Sequence, residues 1–329
     1  MLNDLLNFIT KLNIQRLINL LKNRLSYWLT LCLGRPVVWG TPYSYSIESA
    51  SICNLSCPEC PTGKGEVIRQ NKLLPLDLYQ SIIDQISNAF YLMLYLQGEP
   101  FLNKHIFEMI SLAKAKRIYT CLSTNGHFLD RQNAHQVVTS GLSRIIISVD
   151  GTTNDVYNQY RQGGNLEKVL EGIKNLLEAK KELSSARPYI IMQFIVFKHN
   201  QHQVDEFKRL SKSIGANKTE FKTAQLYDFE HGHPMMPDAE KFSRYRKSGD
   251  RYFVKKPIRN HCKRLWTTGV LTSDGIMAPC CYDKTAHYPM GNAQTGNLNH
   301  DWKGQAFMDF RKQLLKNRKQ IDICCNCGE

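Results

Sequence analysis

Three cysteines stand within eight residues, in the run Cys53-Asn54-Leu55-Ser56-Cys57-Pro58-Glu59-Cys60. The spacing C-x3-C-x2-C lets one short loop aim three sulfurs at one centre. A [4Fe–4S] cluster ordinarily takes four thiolates. Three thiolates hold three irons and leave the fourth iron for a small molecule, the open position that separates catalytic from structural metal sites. A zinc knuckle would want a fourth Cys or His nearby, and none is obvious in the sequence. A disulfide framework would want an oxidising compartment, and the chain has no convincing secretory signal.

The C-terminal stretch holds a second set. Cys262 is followed by Thr272-Ser273-Asp274-Gly275, a hairpin signal flanked by apolar runs, and then by Cys280. A helical stretch at about 304–317 leads to Cys324 and Cys327, a C-x2-C pair. Four thiolates make a closed site, for a [4Fe–4S] cluster or, as in a zinc ribbon, for Zn. Cys281 and Cys325 adjoin this set as spares, and adjacency leaves open whether Cys280 or Cys281 is the ligand.

These residues must be held by a scaffold, and from Tyr43 a βα rhythm begins. Near-continuous apolar runs predict strands at 43–49, 91–97, 118–123, 144–149, 189–197 and 219–226, as parallel strands covered on both faces require. Helical patterns fall between them at about 76–89, 103–116, 129–140, 165–182 and 201–214. Alternating strands and helices predict a parallel sheet with right-handed crossovers. The chain divides into an N-terminal helical segment (1–42), a βα domain (43–226), a linker (227–256) and a small cysteine-bearing domain (257–329). Within the linker, 241–256 reads as a basic helix. His231 and His233 form an i, i+2 pair that could take a metal but suits a solvated loop.

Residues 1–33 stand apart. Leu2, Leu5, Leu6, Ile9, Leu12, Leu17, Leu20, Leu21 and Trp28 recur near helical spacing. Lys11, Arg16, Lys22 and Arg24 interrupt them, and Asp4 is the only acid. The polar breaks argue against a transmembrane span, which needs about 20 mostly apolar residues. A basic amphipathic helix with Trp and Tyr suits either a peripheral anchor on an anionic leaflet or a helix packed on the barrel or on a partner subunit. Overall, 43 basic against 29 acidic residues give +14, which suits an anionic partner: nucleic acid, acidic lipid or an acidic peptide. Hydrophobic content of 42% is ordinary for a soluble globular protein.

The first cysteine motif, placed just after the first strand, closely resembles the signature of the radical S-adenosylmethionine (radical SAM) superfamily. The resemblance implies a partial (β/α)6 TIM-like barrel with ligands at the C-terminal ends of the strands. It implies that Cys53, Cys57 and Cys60 hold the reducing [4Fe–4S] cluster. The open iron is then chelated by S-adenosylmethionine, whose sulfonium is cleaved by one electron to give a 5′-deoxyadenosyl radical. Gln97-Gly98-Glu99-Pro100 resembles the family's Gly-Gly-Glu-Pro turn, with Gln97 for the first Gly, and places Gly98 and Glu99 near the methionine amino group. Ser123 and Asn125 after the third strand correspond to ribose contacts. Ser148-Val149-Asp150-Gly151 followed by Arg161 resembles the segment that meets the methionine carboxylate, for which a guanidinium fork is well suited. Glu59 stands where many members carry an aromatic residue near the adenine.

The second set resembles a SPASM-type extension in a shortened form, which implies one auxiliary [4Fe–4S] cluster on Cys262, Cys280, Cys324 and Cys327. Members with such clusters modify peptide side chains or oxidise small-molecule alcohols. No extra peptide-binding domain is recognisable, which tilts the expectation toward a small or membrane-linked substrate. RNA modification follows from the charge alone and is the weaker expectation. The resemblance, which covers about residues 43–329, further implies a cytoplasmic enzyme with a flavodoxin- or ferredoxin-like electron donor; the amphipathic pattern of residues 1–33, in one of its two readings, adds a peripheral contact on the inner membrane face. The competing reading is a non-catalytic iron–sulfur or zinc-binding redox sensor, which would bind metal without cleaving S-adenosylmethionine.

Overall fold

The computed structural model describes residues 2–328; Met1, Glu329 and the side chain of Leu2 lie outside the described residues. Two helices open the chain, α1 (Leu2–Ile9) and α2 (Ile14–Leu33). The strands and helices that follow are β1 (Ser44–Ile47), α3 (Leu76–Gln85), β2 (Tyr91–Met93), α4 (Ile106–Ala115), β3 (Tyr119–Thr124), α5 (Arg131–Thr139) and β4 (Arg144–Ser148). Then come α6 (Asn154–Tyr160), α7 (Leu166–Glu182), β5 (Tyr189–Val196), α8 (Val204–Ile214) and β6 (Lys218–Thr223). The C-terminal third holds β7 (Tyr245–Ser248), β8 (Arg251–Val254), α9 (Arg264–Thr267), β9 (Thr268–Leu271), β10 (Ile276–Ala278) and β11 (Gly291–Asn292). It ends with α10 (Leu298–Lys303), α11 (Gln305–Asn317) and α12 (Asp322–Cys325).

Strands β1 to β6 pair in chain order, all in parallel, as the six apolar runs predict. Every residue of β3 is buried, and the inward residues Ile145 and Ile147 of β4 join the core with Leu92, Leu122, Ile190 and Met192. Helix ends follow local chemistry: Asp130 accepts from Asn133 N to start α5, and Asn165 accepts from Lys168 N to start α7.

The small domain is not a separate sheet. β9 pairs in parallel with β1, and β10 and β11 continue antiparallel, so one sheet runs β11-β10-β9-β1-β2-β3-β4-β5-β6. Gly269 is what lets β9 lie there. A Cβ at this position would stand 2.4 Å from the Tyr45 ring, its partner across the ladder.

The expected basic helix at 241–256 is instead the β7–β8 hairpin. Gly249-Asp250 makes its two-residue turn, with Ser248 opposite Arg251 and Gly249 at φ 59°. The stretch has no apolar stripe at helical spacing, and the turn signal prevails. α6, not expected at all, is seven residues long with little apolar periodicity.

The N-terminal segment is two helices rather than one, broken where Asn13 caps α2 by accepting from Arg16 N. α1 packs Phe8 against Phe90, Tyr91 and Tyr119, and Asp4 accepts from Tyr119 and Arg144. α2 buries a polar stripe of Arg16, Asn19, Asn23, Ser26 and Thr30. Arg16, one of the polar breaks in the apolar spacing, is buried and donates to the carbonyls of Lys11, Lys116 and Arg117. Among the described residues no helix is long and apolar enough to cross a membrane.

Candidate active site

The loop after β1 carries Cys53, Cys57 and Cys60, and its ends are pinned. Leu74 N donates to Ser49 O, and Asn103 Nδ2 reaches the carbonyls of both Ser49 and Leu74. Behind it lies a fully buried ion pair, Arg69 Nε to Glu48 Oε2 at 2.8 Å. Ser273 N also donates to that oxygen, while Arg69 donates to the carbonyls of Lys284 and Thr285. The pair therefore clamps the cysteine loop to the C-terminal domain. Gly98, after β2, holds the other side. Its φ is +70°, and a Cβ there would stand 2.3 Å from Ala50 O and 2.6 Å from Ile52 O. Glu99 N then donates to Ile52 O at 2.8 Å.

Cys53, Cys57 and Cys60 line one cavity of about 150 Å³ together with Gly98, Glu99, Ser123, Asn125, Ser148 and Arg161. These residues come from the ends of four strands, which is where a barrel places its chemistry. Asn125 bridges them: its Nδ2 donates to Asn54 Oδ1 at 2.8 Å and approaches Cys53 Sγ at 3.6 Å, while its Oδ1 accepts from His127 N. Asp150 corrects the expectation of a cofactor contact. It lies outside the cavity with both oxygens engaged, one accepting from Arg161 Nε at 2.6 Å and the other from Ile195 N at 2.6 Å. It aims Arg161, whose Nη1 comes within 4.0 Å of Cys57 Sγ.

Sequence reasoning missed Leu55, Tyr95, Thr124, Tyr160, Gln193 and Ile195, which complete the wall. The strand-end position of Thr124 and Gln193 is the signal that could have found the polar pair. Glu59 does not face this cavity: it accepts from Tyr227 N and lies 3.4 Å from His233 Nε2. The other nitrogen of His233 accepts from Met235 N, so the two-histidine metal idea finds no support there.

Electrostatics favour a bound cation. Glu99 is buried, and burial raises its carboxyl to about 7 against donors from Asn125 N, Thr124 Oγ1 and Phe101 N. Burial pushes the Cys57 thiol up to about 11, with Arg161 opposing. Thiols held this high are protonated at neutral pH and release their protons when metal binds.

The second set also converges. Cys262, Cys280, Cys324 and Cys327 line one apolar cavity with Leu265, Phe310, Leu314, Ile323 and Arg318. Arg318 Nη2 donates to Cys327 Sγ at 3.1 Å, and burial raises the Cys324 thiol to about 11 with Arg318 opposing. Cys281 does not line this cavity but adjoins it, its side chain hydrogen-bonded to that of Cys280 and its Sγ 3.4 Å from Nη1 of Arg264, which lines the cavity. Cys325 is exposed and donates to Lys319 O. All eleven cysteines are free thiols. Among the described residues no three Cys, His, Asp or Glu side chains already converge as ligands of a single ion. The donor sets nonetheless fit iron–sulfur clusters: three thiols beside acceptors and a guanidinium in one cavity, four thiols around a largely apolar one in the other.

Comparison with known proteins agrees with this chemistry. Residues 47–210 match the radical SAM superfamily, and residues 262–328 match the iron–sulfur cluster-binding SPASM domain. The mycofactocin maturase MftC of Mycobacterium ulcerans is 28% identical, the match covering 87% of this chain and 80% of that protein. A GTP 3′,8-cyclase of Aliarcobacter butzleri is 25% identical, covering 82% of this chain and 87% of that one. Streptococcus suis SuiB bound to S-adenosylmethionine shares the fold at a TM-score of 0.61 and 12% identity, covering 83% of this chain and 68% of that one. The chain belongs to the radical SAM superfamily: it is an enzyme whose barrel binds a [4Fe–4S] cluster and S-adenosylmethionine and whose C-terminal SPASM domain binds auxiliary iron–sulfur.

Proposed function

We propose that Cys53, Cys57 and Cys60 hold the reducing cluster and that the enzyme modifies a side chain of an acidic peptide. The carrying observation is a groove of about 1000 Å³ that starts at Pro61, beside the first cysteine loop, and reaches Cys325 and Asn326, beside the second. Bound together, the cluster and S-adenosylmethionine supply a one-electron reductive cleavage whose product takes hydrogen from an unactivated C–H bond.

The chain's own residues do the rest. The ionised Glu99 accepts from the ammonium of the methionine moiety. Arg161, held by Asp150, presents its guanidinium to the carboxylate. Ser123, Asn125 and Ser148 offer small polar groups for ribose hydroxyls, and Leu55, Tyr95, Tyr160 and Ile195 keep water out. Cys262, Cys280, Cys324 and Cys327 hold one auxiliary cluster, with Arg318 offsetting its negative charge. Cys280 rather than Cys281 is the ligand, because only Cys280 lines the cavity. An acidic flavodoxin- or ferredoxin-like donor suits a chain of net charge +14.

Tyr227 and Phe229 offer the groove aromatic surface, and its cations Arg246, Arg251, Lys255, Lys256, Lys284 and Lys319 outnumber its acids Glu66, Glu230, Asp283 and Asp322. An extended acidic peptide fits that length and charge, and the relative MftC is a maturase. Small-molecule alcohol oxidation would need only the cavity and not the groove. The test is fluorescence anisotropy with a labelled Glu-rich decapeptide on the reconstituted enzyme. Changing Arg246 and Arg251 to Ala together is expected to weaken binding by about tenfold or more and to leave uncoupled 5′-deoxyadenosine formation intact. No binding, or binding indifferent to both substitutions, rules out the peptide groove.

A further inference from the structure

α2 is built inside out. The stripe it turns inward is polar, and nearly every group on it is bonded. Arg16 reaches three carbonyls, Asn19 and Asn23 both donate to Thr41 O, Ser26 Oγ accepts from Trp39 N, and Thr30 Oγ1 accepts from Val37 N. The stripe it turns outward is Ile14, Leu17, Ile18, Leu21, Leu25 and Trp28, each between 41% and 74% exposed. α1 repeats the pattern, with Asp4 and Phe8 turned inward and Leu5, Leu6 and Ile9 exposed. Trp39, in the segment after α2, is 50% exposed as well. A helix at a water-facing surface shows the opposite polarity, so this surface is made to be covered.

Charge selects what covers it. Helical spacing puts the exposed Lys22 and Arg24 on the two flanks of the outward stripe, and exposed Arg35 follows the helix. The one acid before Glu48 is Asp4, and it faces inward to Tyr119 and Arg144. An apolar stripe rimmed by cations fits an anionic leaflet, with Lys and Arg at headgroup height and Trp at the interface. A second copy of this chain would set one cation-rimmed stripe against another, with no acid on either rim to pair with Lys22 or Arg24, because a two-fold contact uses the same surface on both copies.

We infer that α1 and α2 form a peripheral docking face for an anionic lipid bilayer, with the mouth of the active site turned away from it. The orientation follows from the barrel. The partners of the two helices include Thr41, Arg117, Tyr119, Arg144 and Trp266, which precede or begin β1, β3, β4 and β9, and Tyr27 of α2 also bonds His261. The cavity residues stand at the opposite ends of the same parallel strands. Five residue steps along β3 separate the two ends by roughly 17 Å. The bilayer therefore holds the enzyme in place while substrate and electron donor approach from water, and lipid itself does not reach the reacting site.

The test is flotation of the full, cluster-loaded chain with vesicles of phosphatidylcholine, with and without about a third phosphatidylglycerol. The chain is expected to float only with the anionic vesicles, and less as salt rises. Changing Leu17, Leu21 and Leu25, which are 41% to 59% exposed, together to Ser is expected to weaken flotation by more than about tenfold. Lys22→Glu with Arg24→Glu is expected to do the same. In all variants, and on vesicles, 5′-deoxyadenosine formation with a soluble reductant should persist. Three results overturn the inference: no anionic binding, binding indifferent to these substitutions, or a lipid-free dimer that the triple Ser variant disperses. Loss of turnover on vesicles overturns the orientation.

Discussion

A carboxyl group as buried as Glu99 is expensive to ionise without a cation, and its rise to about 7 makes it a reporter of the site. Because its folded-state value lies above the ordinary one, the cofactor-free protein should lose stability as pH rises from about 4.5 toward 7, with no further loss from this group above that. S-adenosylmethionine binding should run the other way, since an ammonium favours the ionised form. Affinity measured by anaerobic equilibrium binding is expected to rise roughly fourfold from pH 6 to pH 8, the ammonium's own titration near pH 8 offsetting part of the gain in ionised Glu99, and Glu99→Gln should remove the rise and weaken binding at the upper end. A wild-type profile that is already flat would remove Glu99 from the binding site. Asp150 shows why residue roles are hard to read from a motif. It is as near in sequence to the cavity residues as Ser148, but its oxygens are taken by Arg161 and Ile195 N, so it acts by aiming another side chain.

At the scale of elements, the close crossing of the turn after β2 over the cysteine loop is the least forgiving feature. Gly98 combines a positive φ with carbonyls 2.3 and 2.6 Å from where a Cβ would stand, and neither is a flexible side chain. Gly98→Ala should cost about 3 kcal/mol or more, lower the melting temperature and impair loading of the first cluster. A variant with wild-type melting and full iron content would show that the two loops are not tightly packed. The βα rhythm was legible because β3, β4 and β5 are apolar runs covered on both faces and stand out from their flanks, whereas β6, the edge strand, is polar and half-exposed. The β7–β8 hairpin was not, because cationic residues masked the Gly249-Asp250 turn. The joining of β9 to β1 was not legible either: a parallel pairing across more than two hundred residues leaves no local trace. The Glu48–Arg69 clamp escaped notice for the same reason, its partners Ser273 and Lys284 being remote in sequence. The inverted polarity of α2 was half legible, since the apolar spacing was plain but which face turns inward is decided by the Thr41 and Arg117 carbonyls.

Across the whole molecule, the two cysteine sets, the groove between them and the N-terminal helices form one arrangement. The extended sheet carries both cysteine sets, the first set opens on the side away from α1 and α2, and the groove runs from Pro61, beside the first, to Cys325, beside the second. The central claim is that three cysteines at one site and four at the other hold separate clusters with separate tasks. Anaerobic reconstitution, followed by counting iron and assaying 5′-deoxyadenosine after reduction, tests it most directly. The wild-type chain should hold about eight irons and form 5′-deoxyadenosine. With Cys53, Cys57 and Cys60 all changed to Ala it should keep about four irons and form none. Cleavage that survives the triple substitution, or a wild-type chain that binds iron but never yields 5′-deoxyadenosine, would contradict the account.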